Sequence, residues 1–284
     1  MKVIRGIAEL RAELGSPRRA GRSIGFVPTM GFFHDGHASL MRRARQECSV
    51  VVVSLFVNPT QFNEPADLEA YPRDEARDRA IAEGARVDVL FAPPASEIYP
   101  PGFATTVSVS GVSEPLEGRA RGPEHFRGVA TVVAKLLNIV QPDVAYFGQK
   151  DAQQALVIRR MARDLDFPVR VEVCPTVREP DGLAMSSRNV RLTSDARGQA
   201  LALRRGLDAA TRLITNGERS AARIGDVARR EMAQLAVEPE YLAIVAAETL
   251  QPMERLSGEV LIAVAARVGG VRLIDNELVT VPPT

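Results

Sequence analysis

Residues 25–40 read GFVPTMGFFHDGHASL. The apolar run Ser23 to Val27 predicts a strand, Pro28-Thr29-Met30-Gly31 a turn, and Ala38 to Ala44 the start of a helix. A strand, a glycine-bearing turn and a helix start make a phosphate site, because the first-turn N–H groups and the positive end of the helix dipole face the turn. His34 and His37 lie there, three residues apart, with Gly36 between them. Two imidazoles at such a place hydrogen-bond phosphates and stabilise charge that builds up during reaction. Gly36 removes a side chain where a ligand comes close. Two competing readings are ordinary surface or packed histidines and a zinc site. Zinc needs three or four ligands, and the remaining His125, Cys48 and Cys174 are scattered singly.

Working outward, Val50 to Val57 is a continuous apolar run, the mark of a strand covered on both faces. Asp74 to Gly84 reads as a helix, Val87 to Ala92 as a strand, Gly128 to Val140 as a helix and Val144 to Phe147 as a strand. Ala152 to Asp164 is then a helix and Val169 to Val173 a strand. This alternation predicts an α/β fold with a parallel sheet and helices on both sides, in which ligands bind at the carboxyl ends of the strands. Helices over Ser194–Thr215 and Ser220–Ala236, then strands over Glu240–Ala247, Gly258–Ala266 and Val271–Ile274, predict a smaller C-terminal α/β domain. The expected division is residues 1–180 and 181–284, within a boundary region from Pro175 to Thr193.

The chain has 284 residues, 45% hydrophobic and 25% charged, with a net charge of +1. The balanced charge gives no electrostatic reason to expect nucleic acid or a membrane surface as partner. No apolar run has the length of a membrane span, and MKVIRGIAELRAEL lacks the apolar region of a secretory leader. Two well-separated cysteines form no disulfide framework, so a reducing, cytoplasmic setting is expected. Lys2, Lys135 and Lys150 are the only lysines among 36 basic residues. Where arginine is so favoured, Lys150 in Gly148-Gln149-Lys150-Asp151 draws notice as a compact point charge that a planar fork does not replace.

Other polar clusters also follow strands. Asn58-Pro59-Thr60-Gln61-Phe62 offers Gln61, whose amide both donates and accepts and so suits a small polar acid. Asp78, one turn into a helix, is a candidate Mg²⁺ ligand alongside nucleotide phosphates, or a residue of a solvated helix face. His125 lies in an expected Gly/Arg-rich loop, Gly118 to Gly128, and Gln153 and Gln154 open the helix after Lys150. Asp181-Gly182 predicts a turn, followed by Met185-Ser186-Ser187-Arg188, two hydroxyls and a guanidinium in a row. These are phosphate ligands on a mobile loop able to close over a triphosphate, or a solvated turn capping the next helix.

PTMGFFHDGH, FVNPTQF, AYPRD, EIYPPG, LEGRARGPEHFRGVATVVAKLLNIVQPD, FGQKDAQQ and DGLAMSSRN occur in this order between about residues 25 and 192. Together they resemble the pantothenate synthetase (pantoate–β-alanine ligase) family. The resemblance implies a Rossmann-like nucleotidyltransferase domain, a homodimer, and ATP-dependent joining of (R)-pantoate to β-alanine in coenzyme A biosynthesis. Carried over by position, it implies ATP binding by Met30, Gly31, Phe32, Phe33, His34, Asp35, Gly36 and His37, with His37 as proton donor. It implies further ATP contacts at Gly148, Gln149, Lys150, Asp151, Val177, Met185, Ser186, Ser187 and Arg188. Gln61 would meet pantoate and β-alanine, and Gln154 pantoate. His34, Lys150, Ser186, Ser187 and Arg188 join His37 as the expected catalytic set, with Mg²⁺ on the nucleotide.

The chain departs from the family's commonest pattern at Gln149, Thr60, Phe32 and Phe33, and its acidic cluster for Mg²⁺ is thin, with Arg77 beside Asp78. A cytidylyl- or adenylyltransferase of the same superfamily is the nearest alternative. FVNPTQF and the HFRG segment match the ligase instead. A retired nucleotide-binding protein is the alternative from another class.

Overall fold

The structure, a computed structural model, describes every residue except Glu64, Pro283 and Thr284, and of Pro65 and Asp67 the backbone alone. The last two positions of the expected second domain therefore lie outside the described residues. Val50–Leu55 is Val-Val-Val-Val-Ser-Leu, buried along its first five residues. A strand without a polar face is stable only where both faces are covered, which a parallel sheet flanked by helices provides. The strands β1 (Lys2–Ile4), β2 (Ile24–Thr29), β3 (Val50–Leu55), β4 (Val89–Phe91), β5 (Val144–Gly148) and β6 (Arg170–Cys174) form that sheet, in the order β1-β4-β3-β2-β5-β6. Every pairing is parallel. The helices between them are α1 (Ile7–Arg19), α2 (Asp35–Glu47), α3 (Pro65–Glu69), α4 (Glu75–Gly84), α5 (Ala95–Ile98), α6 (Glu117–Arg121), α7 (Pro123–Val140) and α8 (Ala152–Asp164).

Chain order reverses between β2 and β5, which are hydrogen-bonded neighbours. In open sheets of this kind the crevice outside the carboxyl ends at the reversal takes the ligand. β2 runs at that end into the histidine motif, and β5 into Gly148-Gln149. Val27, Phe33, Met41, Val51, Val53, Leu90 and Tyr146 pack one side of this core.

The chain divides into two compact units, one of Met1–Gln149 with Gln153–Pro175 and one of Lys150–Ala152 with Thr176–Thr284. The division thus falls after Pro175, ahead of residue 180, and Lys150 groups with the second unit. That unit carries α9 (Ser194–Thr215) and α10 (Ala221–Ala233) and an antiparallel sheet, β7 (Pro239–Ala246), β8 (Gly258–Val268) and β9 (Val271–Val281). Leu203, Leu207, Ile224, Met232, Ile262 and Val264 form its core.

Several elements differ from the sequence expectation for identifiable reasons. β2 continues through Pro28 to Thr29, because pairing with β5 stops at Phe26 and the proline forfeits no ladder bond on that side. α2 starts at Asp35, ahead of Ala38, since His34 caps it. The expected loop over residues 118–128 is mostly helical, with Gly122 at φ 81° separating α6 from α7. β9 runs to Val281 and not only to Ile274. Asp275-Asn276-Glu277 breaks the apolar pattern, yet Asp275 and Asn276 are buried with partners. The Arg178 guanidinium donates to both Asp275 oxygens at 2.7 and 3.1 Å, and Asn276 Nδ2 donates to the Lys150 carbonyl at 2.9 Å. β1 and α1 had no counterpart in the sequence reading. The three-residue β1 is too short for a pattern, and α1 holds its place through Leu10 and Leu14.

α7 crosses the short 3-10 turn Pro59–Gln61 at Gly128, where an added Cβ would stand 2.4 Å from the Thr60 carbonyl oxygen and 2.8 Å from the Gln61 nitrogen. Backbone does not yield as a side-chain tip does. Gly128→Ala is expected to destabilise the protein by about 1–3 kcal/mol through overpacking, read as a lower urea midpoint at unchanged slope. In the second unit, Asp275 is only 3% exposed. Arg178→Met leaves that charge without its bidentate partner, and a loss of roughly 3–5 kcal/mol is expected in the same measurement.

Candidate active site

The turn from β2 into α2 is built on two consecutive residues of positive φ, Gly31 at 86° and Phe32 at 51°. Thr29 Oγ1 accepts from the Gly31 N–H at 3.2 Å and closes the turn. His34 is the N-cap of α2 in extended conformation. Its Nδ1 accepts from the Gly36 N–H at 3.1 Å, and His37 Nδ1 accepts from the His34 N–H at 3.3 Å. This is a reciprocal capping box in which imidazoles stand where a serine and a glutamate usually do. The expectation of an uncapped first turn facing a ligand is corrected accordingly: the Gly36 N–H is engaged by His34.

The capping has a chemical consequence. A neutral imidazole carries one ring proton, and here both Nδ1 atoms accept, so both protons sit on Nε2. The two rings lie 4.1 Å apart, and the Phe33 ring is 5.5 Å from His37. Phe33 is fully buried in the core beneath. The capping bonds thus fix the orientation of both rings on the backbone of the helix start. Among the described residues no group of three or more His, Cys, Asp or Glu side chains is arranged to hold a metal. Burial also pushes the Cys174 thiol up to about 11, away from the thiolate that zinc requires.

Asp78 does not sit on a solvated face of α4. It is 1% exposed, and its two oxygens accept from the Phe32 N–H at 2.7 Å and the Phe33 N–H at 2.6 Å. Burial raises its carboxyl above the ordinary carboxylate value, opposed by the Phe33 and Phe32 N–H groups. Both oxygens are engaged by backbone, so Asp78 does not fit the Mg²⁺ ligand expected of it. The cap of α4 is Asp74, which accepts from the Arg77 N–H at 3.0 Å.

Gln61 lies at the end of the turn that follows β3, and its orientation is set by Asn58, which is 1% exposed. Asn58 Nδ2 donates to Gln61 Oε1 at 3.0 Å and to the Gly128 carbonyl at 3.2 Å. Asn58 Oδ1 accepts from Tyr99 Oη at 2.8 Å and Thr60 Oγ1 at 2.9 Å. Gln61 Oε1 is therefore engaged by Asn58, and Nε2, a donor, is the other end of the amide. Thr60 contributes its hydroxyl to this network. Sequence reasoning missed Tyr99. Its signal was the EIYPPG segment, with Tyr99 Oη 3.3 Å from Thr60 Oγ1. His125, in the first turn of α7, contacts the Gln61 carbonyl through Nδ1 at 2.9 Å. Of the two glutamines opening α8, Gln153 is buried and structural. It accepts from the Glu117 N–H at 3.0 Å and donates to the carbonyls of Val112 and Pro115 at 2.9 and 2.7 Å. Gln154 is half-buried.

The second unit holds Lys150, Asp151 and residues 177–188. Asn276 fixes the Lys150 backbone through the carbonyl bond already described, and Lys150 Nζ lies 3.4 Å from Asp151 Oδ1. The segment from Val177 to Met185 is a tight hairpin, closed by the Met185 N–H to the Val177 carbonyl at 3.0 Å and turned at Gly182 with φ 95°. Arg197 ties it down through Glu179 and Asp181 at 2.5 and 2.7 Å, and Asn189 Nδ2 donates to Glu179 at 2.6 Å. Ser186 accepts from the Arg188 N–H at 3.2 Å and caps the 3-10 turn Ser187–Arg191, while Thr193, not a serine of the loop, caps α9.

The Pantoate-beta-alanine ligase family model matches residues 2–278. A pantothenate synthetase of Moorella thermoacetica is 54% identical over 286 residues, covering 99% of each chain. The crystal structure of a pantothenate synthetase from Thermus thermophilus superposes with a TM-score of 0.93 at 49% identity over 100% of both chains. A pantoate-beta-alanine ligase from Francisella tularensis, solved with β,γ-ATP and β-alanine, gives 0.79 at 35% identity over 98% of this chain and 97% of that one. With a family match across nearly its whole length and relatives above half identity, the chain belongs to the pantoate–β-alanine ligase family.

Proposed function

We infer that this chain, an ATP-dependent pantoate–β-alanine ligase, works with its residues in the following roles. Pantoate's carboxylate attacks the α-phosphorus of ATP, giving pantoyl adenylate and pyrophosphate. The amine of β-alanine then attacks the activated carbonyl and displaces AMP, giving pantothenate. Neither step needs a covalent bond to the protein, so positioning and charge neutralisation carry the catalysis.

His34 and His37 donate through Nε2–H to the phosphate oxygens on which negative charge grows in adenylation. The capping box carries this reading, because it fixes both the rotation and the tautomer of the rings before ATP arrives. Met30 to His37, Gly148 to Asp151, Val177 and Met185 to Arg188 bind the nucleotide. Lys150, Ser186, Ser187 and Arg188 hold the β- and γ-phosphates and the departing pyrophosphate. Ser186 acts as a cap by accepting, which leaves its hydroxyl proton for a phosphate oxygen. Gln61 and Gln154 bind pantoate, and Gln61 also meets β-alanine. The hold of Asn58 on Gln61 Oε1 supports this, since substrate carboxylates need a donor. Mg²⁺ enters with the triphosphate, and no step is assigned to a protein-held ion. The division into a nucleotide- and pantoate-binding domain and a smaller domain supplying the Ser-Ser-Arg segment, the homodimer, and the cytoplasmic setting belong to the same reading. Sedimentation velocity at micromolar protein reads the dimer directly.

The deciding experiment measures AMP and pyrophosphate from ATP, Mg²⁺ and pantoate, with and without β-alanine. AMP release that requires both acids is the expected result. ATP binding without release under any combination would sink the reading. The roles of the histidines separate from their capping by choice of variant. His37→Gln keeps an acceptor at the third helical position and His34→Asn keeps a good cap. Both are expected to hold the melting temperature near its original value while pyrophosphate release drops by roughly a hundredfold or more, as for loss of an oxyanion-type donor. Lys150→Arg is expected to lose most of its turnover, because a planar fork does not replace a point charge. Unchanged turnover there removes Lys150 from the phosphate site.

A further inference from the structure

The turn between β2 and α2 has an internal anion. The Phe32 and Phe33 N–H groups converge on one carboxylate, in a turn where Gly31 and Phe32 both have positive φ. Successive N–H groups in such a turn make a concavity that binds anions. In this protein the concavity is filled by the Asp78 carboxylate, one oxygen to each N–H at 2.6 and 2.7 Å. Two donors, one per oxygen, match the ionised carboxylate, and bonds this short are those of a charged acceptor. Gly31 gives way for it, since a Cβ there would lie 2.9 Å from Asp78 Oδ2. The neighbouring Arg77 sets its guanidinium 4.9 Å from the centre of the Phe32 ring. α4 therefore grips the turn twice with adjacent residues, by its backbone through Asp78 and by a side chain through Arg77. Phe32, unusual for the family at this position, has its partner in Arg77.

We propose that Asp78 is the positioning residue of the histidine pair, holding the Phe32-Phe33 backbone so that His34 caps α2 with both Nε2–H groups preset, and that it is not a ligand of Mg²⁺. The carboxylate also decides which donors a triphosphate meets. With the Phe32 and Phe33 N–H groups taken, phosphate is directed to the imidazoles and not to the turn's backbone. This deepens the functional reading above and rests on it.

The test uses the full-length enzyme and Asp78→Asn, which keeps the shape but turns an NH₂ group toward one of the two N–H donors. Pyrophosphate release at saturating ATP is expected to fall roughly ten- to a hundredfold, the loss that follows when reacting groups slip by about 1 Å. The KM for β-alanine is expected to hold, and raising Mg²⁺ is expected to restore nothing. Hydrogen exchange is expected to show protected Phe32 and Phe33 amides in the unaltered protein and faster exchange in the variant. Recovery of activity by added Mg²⁺ would make Asp78 a metal ligand and overturn the proposal, and so would pyrophosphate release at the unaltered rate. If the variant fails to fold, exchange in the unaltered protein decides: Phe32 and Phe33 amides exchanging as fast as that of exposed Gly102 overturn the anchor, and protected ones support it. The exchange result also stands apart from the functional reading. An unaltered protein with protected amides but no AMP release fails the reading of its reaction, not the anchor.

Discussion

The N–H groups at the end of β2 and the start of α2 set the terms for the active site. A helix begins with donors that have no partner inside it, and in this protein they lie beside a buried core where water is scarce. Two imidazoles and one carboxylate meet that demand. Asp78 takes the Phe32 and Phe33 N–H groups, His34 takes Gly36, and His37 takes His34. The same bonds that satisfy the backbone assign the ring protons. Local structure and ring orientation are one arrangement here, because each histidine is also part of the helix cap.

The principle recurs around Gln61. An amide has two ends, a donor and an acceptor, and its orientation decides which end is presented. Asn58 settles this by donating to Gln61 Oε1, and Asn58 is itself held by Tyr99 and Thr60. Gly128 makes the arrangement possible by letting α7 approach the Thr60 backbone closely. In the second unit the corresponding work falls to β9. Its polar residues Asp275 and Asn276 hold Arg178 and the Lys150 backbone. A polar triplet in a strand that otherwise alternates is thus part of how Arg178 and the Lys150 backbone are supported.

Family resemblance and geometry bear on different questions. The match over residues 2–278 fixes the class of reaction. It does not say what Phe32 or Thr60 does in this chain. The structure supplies this residue by residue, in the Arg77–Phe32 contact and the Thr60 hydroxyl's bond to Asn58.

The sequence by itself determined the α/β class, most strands and helices, and the family. Those depend on local pattern, such as the unbroken apolar run of β3, and on ordered motifs such as FFHDGH and FGQKD. The histidines read from sequence as candidate phosphate ligands, but their engagement as caps was not legible, since a His-x-Gly-His string does not state which nitrogen accepts. Asp78 was misread for a related reason. Its neighbours in sequence are Arg77 and Arg79, which suggest a solvated face, whereas its partners Phe32 and Phe33 lie 46 and 45 residues away. The extent of β9 was hidden likewise, because Asp275 and Asn276 read as polar until Arg178 and the Lys150 carbonyl are brought to them. Local pattern reports which residues prefer water; only the tertiary structure decides which polar groups find a partner out of water, because those partners are distant in the chain.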